Sequence, residues 1–259
     1  MVDVAGDVPQ DDHTVLDSWR QSAWERTAPA QRTGTAREHV PDLKNLGSGA
    51  DFVPFQDHLG IPSLSVEFIG ANGYGFGTYH SNYDSRAYVE RIADPGFAQG
   101  VTMVSMLGTL AVRMANANVV PFRFTPYAQA LVVALDTTPL GSRARTALMQ
   151  AALLDSAVTQ ALSRGTLTAA RARSLNDRLA RLEQQLTADA GHADSKWYRH
   201  VLYGWNIYSL YDGQPFPGLA EAQRLRDAAR VTQEMTRIAD ALDRMISELR
   251  VARTLAQGR

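Results

Sequence analysis

Towards the end of the chain, apolar residues fall at Ala228, Val231, Met235, Ile238, Leu242, Met245, Leu249, Ala252 and Ala256. The spacing alternates between three and four, which in an α-helix holds all of them on one stripe. A stripe of that length obliges the helix to lie lengthwise on others at a shallow angle. Those others can come from the same chain, as in a bundle, or from a second copy, as in a dimer. Periodicity serves both.

The preceding residues supply candidates. One helix is expected from Pro126 towards Thr138 and another from Ser142 to Arg164, where Gly165 provides the left-handed stop. A third follows Thr168, with Leu175, Leu179, Leu182 and Leu186 on one side. The last begins after Pro217-Gly218. Between them lies a non-helical insert rich in aromatics and prolines, Trp197 to Tyr203 and Tyr211 to Gly218; long loops inside compact domains tend to be functional or protective.

Before Pro121 the character differs. Residues 1 to about 12 are a polar lead-in, and a short helix is expected around Thr14 to Trp24, with Trp19 and Trp24 as anchors. Residues 28–44 form a connector. In the stretch from Leu46 to Phe55, Gly47-Ser48-Gly49 allows a tight turn, and Asp51 can start a helix with Phe52, Phe55 and Leu59 inward. Leu64 to Phe68 reads as a strand. Asp94-Pro95 is a good start for a helix running from Phe97 to Val120, apolar on nearly every face and so expected between layers. Pro121 closes it and sets the domain boundary.

Net charge is −1, which gives no general attraction to nucleic acid or to anionic membranes. The absence of cysteine excludes disulfides and thiolate metal sites and suits a reducing or an oxidising compartment. Met1 to Gln10 lacks the pattern of a signal peptide. No apolar run is expected to span a bilayer; residues 97–120 come nearest but hold Arg113, Asn116 and Asn118. Localisation stays open.

Chemistry gathers at Thr78-Tyr79-His80-Ser81-Asn82-Tyr83-Asp84, just after the expected strand. Ligands in α/β sheets collect beyond strand ends, so His80 suits a metal or substrate contact, although a lone histidine also serves as a hydrogen-bonded structural residue. Gly70, Gly73, Gly75 and Gly77 precede it without a Gly-Lys-Ser/Thr, which favours a flexible loop beside a site over a phosphate cradle.

Taken together, these motifs resemble the C-terminal part of the zinc-peptidase family that includes glutamate carboxypeptidase II and the transferrin receptor. The matching stretches are Leu46 to Phe52, His58 to Ser63 and Tyr79 to Asp84, then Val89-Glu90, Asp94 to Phe97, Ala115-Asn116 and Val120 to Phe122, and finally Tyr198 to Tyr203 with Phe216 to Gly218. The resemblance implies a mainly α fold: a helical-bundle dimerisation domain over 122–259, preceded by a partial α/β, peptidase-like segment over 1–121. It implies that His80 matches the last ligand of a two-zinc site and Tyr79 a hydroxyl that bonds the tetrahedral intermediate. Ser48 and Gly49 match substrate-contacting backbone, and Tyr211 a substrate-pocket tyrosine. By themselves, a packed tyrosine, a tight turn and a core aromatic account equally for Tyr79, for Ser48 with Gly49, and for Tyr211.

The same resemblance shows what the chain lacks. A two-metal centre needs two or three protein ligands per ion and a general base, which the family supplies from an earlier His-x-Asp, a Glu-Glu pair and a further Asp. This sequence has no Glu-Glu pair, and its His192-Ala193-Asp194 stands in the helical region. Zinc therefore belongs to an intact family enzyme, with none expected on this chain by itself. A homodimer through the helical domain is the implied partner, and a peptide substrate only if a catalytic half is present. The chain can be a fragment, half of a split product, or a dimerisation module. Family members are often extracytoplasmic. In glutamate carboxypeptidase II, paired arginines bind the terminal carboxylate; Ser65 and Glu67 stand at the matching positions here, which favours an aminopeptidase-like preference for any intact parent.

Overall fold

The computed structural model describes residues 1–39, 46–47, 49–70, 78–193, 195–204, 206, 208–209 and 211–258. The chain divides into two compact units: Met1–Leu43 with Val66–Asn116, and Lys44–Ser65 with Ala117–Arg259.

The first unit begins with helix α1 (Val2–Asp7) and a minimal antiparallel hairpin, β1 (Pro9–Gln10) and β2 (His13–Thr14), in which Pro9 pairs Thr14 and Gln10 pairs His13. Helix α2 (Val15–Arg26) follows directly. Thr14 closes a capping box: its hydroxyl accepts from the Asp17 amide at 3.2 Å, and the Asp17 carboxylate accepts from the Thr14 amide at 3.0 Å. Both tryptophans expected as anchors are engaged, Trp19 against a small core and Trp24 beneath the Arg32 guanidinium at 4.3 Å. That core holds Val4, Ala5, Val8, Val15 and Met106.

Ser85 caps the one-turn helix α3 (Arg86–Tyr88), and helix α4 (Ala98–Asn116) follows a turn at Pro95-Gly96. Asp94 starts it as expected, its carboxylate accepting from the Gln99 and Gly100 amides at 3.0 and 2.8 Å. Three expectations for this unit fail. The helix ends at Asn116, not Val120. Its apolar sides are not between layers: only Met106 is buried, while Val101, Val104 and Val112 are 63, 71 and 61% exposed. And Leu64 to Phe68 form no strand, because no neighbouring strand among the described residues is there to accept a ladder. By length and composition the helix Pro95–Asn116 is also apolar enough to cross a membrane, contrary to the reading of its sequence; a single such helix is weak support for a span.

The second unit is helical: α5 (Thr125–Leu135), α6 (Gly141–Ser163), α7 (Ala169–Ala180), α8 (Pro217–Arg224) and α9 (Ala228–Gln257). Expected ends recur at Gly165, in the left-handed region, and at Thr168, whose hydroxyl caps α7. The stretch after Pro217 is broken into two helices at Arg226, which has φ 56°, and Asp227 caps the second. At the other end of α9, the Arg171 guanidinium donates to the carbonyls of Leu255 and Ala256 at 2.8 and 3.1 Å.

Helices α5 and α7 to α9 enclose one core with α6, and the α9 stripe sits in it: Ile238, Leu242, Met245, Leu249, Ala252 and Ala256 are all buried within this single chain. Helix α6 presents mainly alanines to that core, Ala144, Ala151 and Ala157 around Leu154, which lets it pack closely along α9. Of the two partners that periodicity allowed, the bundle uses the stripe. Mainly α is the fold observed.

Candidate functional site

Within the second unit, Asp57, His58 and Gly60 lie against the stretch between α7 and α8, where Gln56, Asp57, His192 and His200 are buried polar groups. A short π-helical turn, Pro54–His58, carries Gln56, Asp57 and His58. Its inward residues are Val53, Gln56 and Asp57, while Phe55 and Leu59, expected inside, are exposed. The turn is anchored instead through its backbone. The Asp57 carbonyl accepts from the amides of Arg199 and His200 at 2.8 and 3.0 Å. Beside it His58 Nδ1 donates to the Trp197 carbonyl at 2.7 Å, and the two rings stack at 4.9 Å. Gly60, at φ 63°, comes so close that a Cβ would stand 2.8 Å from Gln184 Cα.

His200 is the hub. Its Nδ1 accepts from the Leu202 and Tyr203 amides at 3.3 and 3.0 Å, so the ring proton is on Nε2 and donates to Glu183 Oε1 at 2.9 Å. The Tyr127 hydroxyl donates to the same oxygen at 3.2 Å. Burial, reinforced by the Glu183 carboxylate, pushes the Tyr203 hydroxyl up to about 12 and the Tyr127 hydroxyl well above its usual range. The Asp57 carboxyl is 1% exposed, and its Oδ2 has no hydrogen-bond partner among the described residues. Burial pushes it up to about 6, with the His200 imidazole and the Gln56 amide acting in the other direction.

A second buried group lies at the start of α8. His192 Nε2 donates to the His200 carbonyl at 2.9 Å, and burial lowers the imidazole's pKa. The buried Glu234 carboxylate pairs with Arg237, which also donates to the Gly191 carbonyl. Gly218 fills the gap between them: a Cβ there would collide with the Glu234 carboxylate and stand 2.7 Å from His192 Nδ1. Phe216-Pro217-Gly218 is thus a close-packing motif. His192 serves it as a structural group; Asp194 lies outside the described residues.

These contacts position an edge. Leu46 and Asp212 pair in an isolated antiparallel bridge, and a Cβ at Gly47 would stand 2.6 Å from the Tyr211 carbonyl. Gly47 is therefore brought against Tyr211, whose ring is exposed, although the two are far separated in sequence. Ser48 lies outside the described residues. Tyr79 and His80 belong to the first unit, where both are exposed and their rings stack at 3.9 Å; His80 has φ 62°. The Gly70–Gly77 loop falls almost wholly outside the described residues.

Among the described residues no three His, Asp or Glu side chains come near enough to share a metal ion. His80 by itself does not make the donor set of a two-zinc centre, and no step through zinc is derived from this chain. A groove of about 870 Å³ on the first unit is lined by Asp12, His13 and Ser18 among others. There His13 bridges the Asp12 carboxylate and the Ser18 hydroxyl at 2.8 and 2.6 Å. Asp12 stands in bulk water, without the dry, preorganised surroundings that acid–base catalysis uses.

Comparison with known proteins places the chain. The family profile of the transferrin receptor-like dimerisation domain matches residues 135–250. The probable glutamate carboxypeptidase LAMP1 of Arabidopsis thaliana is 33% identical over 183 residues, covering 68% of this chain and 26% of the relative. The aminopeptidase NAALADL1 of Rattus norvegicus is 27% identical over 221 residues, 76% of this chain and 29% of the relative. The probable glutamate carboxypeptidase VP8 of Zea mays is 28% identical over 280 residues, 95% of this chain and 37% of the relative. The chain spans roughly a quarter to a third of the length of these relatives.

Proposed function

For a chain that carries the transferrin receptor-like dimerisation domain, and that is similar to the C-terminal part of the glutamate carboxypeptidase family of zinc peptidases, we propose the role of dimerisation and C-terminal lobe, not catalytic in isolation. The match over residues 135–250 carries this reading, because those residues include the bulk of the helical bundle. Residues 1–121 are then the closing portion of a peptidase-like domain and 122–259 the dimerisation domain. The exposed apolar sides of α4 support that division, since a helix of this composition requires cover that the described residues do not provide.

The partner is a second copy of the chain. In this reading the Leu46–Asp212 bridge and the close approach of Gly47 to Tyr211 hold an edge together, as a substrate-facing rim would need.

A second reading is half of an active two-zinc amino- or carboxypeptidase, completed by an upstream segment or partner chain. His80 beside Tyr79, both open to solvent, favours it. Non-catalytic, receptor-like binding ranks third. Zinc content, molar mass and exopeptidase activity of the purified chain separate them. The proposal predicts a dimer with well under one zinc per chain and no amino acid release. Stoichiometric zinc that is lost in His80→Ala would overturn it in favour of the enzyme.

A further inference from the structure

We infer that the docking of the Pro54–His58 turn on residues 197–204 is an acid-tightened latch. It closes when the Asp57 carboxyl carries a proton and loosens when that proton leaves. The turn is built to open by itself. It buries only Gln56 and Asp57, and none of its residues belongs to the bundle core. What holds it is polar: the Arg199 and His200 amides on the Asp57 carbonyl, the His58 bond to the Trp197 carbonyl, and the ring stack beside it. A segment held by a few such bonds opens at a lower free energy than the whole fold.

Closing the turn encloses a carboxyl that its surroundings do not neutralise. Asp57 Oδ1 accepts from the Gln56 side-chain amide at 3.3 Å, and Oδ2 has no partner among the described residues. Neither oxygen takes a hydrogen bond from a cationic group. Gly204 faces it without a side chain; a Cβ there would stand 3.5 Å from Oδ1. A charge buried without a counter-ion costs far more than a neutral carboxyl in the same place, whereas in the open turn water hydrates it. Acid therefore favours the closed form, in line with the rise of this carboxyl from 3.8 to about 6 on burial.

Most other titratable groups at the junction act in the opposite sense. His200 accepts the Leu202 and Tyr203 amides on Nδ1, so a proton added there would displace both. A proton on Glu183 would weaken the bonds it takes from His200 and Tyr127. His192, which donates to the His200 carbonyl, is kept from charging by burial. Burial keeps the Tyr127 and Tyr203 hydroxyls neutral, and Arg199, whose backbone amide is used here, has a guanidinium that does not titrate. His58 alone shares the sign of Asp57: its Nδ1 bond survives protonation, and the charge would lie on the Trp197 ring. Substitution separates the two.

Amide exchange of the full chain, followed by mass spectrometry at pH 7 and 5 and corrected for the intrinsic rate, reads the latch at residues 54–61 and 197–203. The opening constant should fall about ten-fold from pH 7 to 5, the change that a carboxyl raised from 3.8 to about 6 requires. Asp57→Asn should open equally at both pH values, and His58→Gln should keep the ten-fold change. Asp57→Ser serves if the first variant does not fold. A wild-type junction that is equally open at both pH values, or more open at pH 5, overturns the latch. So does a ten-fold change that survives the loss of the Asp57 carboxyl.

Discussion

Helices α4 and α9 are both long and both present apolar residues to be covered, yet the chain treats them in opposite ways. In α9 the apolar residues occupy one stripe, and α6, α7 and α8 cover it. In α4 they occupy nearly every side, and the described residues bury only Met106. The difference teaches that apolar content states how much cover a helix needs, while periodicity states from how many directions it must come. A stripe can be met by neighbours on one side. An apolar cylinder needs layers on both.

The largest test of that contrast is truncation on each helix. Leu249→Ala on α9 leaves a cavity in a fully packed core and should cost about 2–5 kcal/mol, measured by denaturant unfolding. Val104→Ala on α4, already 71% exposed, should stay within about 0.5 kcal/mol. Equal losses would mean that α4 has cover in solution that this chain supplies.

Next in size is Gly218→Ala. Its methyl group has no room between the Glu234 carboxylate and His192, so a loss of roughly 1–3 kcal/mol is expected. No loss would show that α8 shifts freely against α9.

An effect of similar order should follow pH. The Asp57 carboxyl is held near 6 in the fold, against about 3.8 when unfolded, so folding favours its protonated form. Its contribution is fully present below about pH 4 and is lost as pH rises to about 6, amounting to something on the order of 2 kcal/mol. Subtracting the stability curve of Asp57→Asn from that of the wild type should reveal this fall. A difference that is flat from pH 4 to 7 would show the carboxyl to be hydrated.

The smallest effect belongs to a helix end. Arg171→Ala removes the donors to the last α9 carbonyls and should cost about 1 kcal/mol, with faster amide exchange confined to the final turns.

Much of the helical structure is legible in the sequence because its signals are local. Gly165, Thr168, Asp94 and the α9 spacing each act through their own neighbours. What is not legible depends on contacts between distant residues. Phe55 and Leu59 look like core positions, yet Gln56 and Asp57 are the buried ones, and the Asp57 backbone carbonyl takes the amides of the distant Arg199 and His200. The hub joining Tyr127, Glu183 and His200 draws on three separate stretches, and only the density of aromatics after Trp197 hints at it. The expected strand at Leu64 to Phe68 fails for the same reason: alternation describes one strand, whereas a ladder needs two. Gly47 is brought against Tyr211, and no periodicity could have paired them.

Sedimentation equilibrium of the purified wild-type chain over micromolar to hundred-micromolar concentrations tests the central claim most directly. The account predicts a single species at twice the 28.4 kDa chain mass. A species that stays at the chain mass throughout would contradict it.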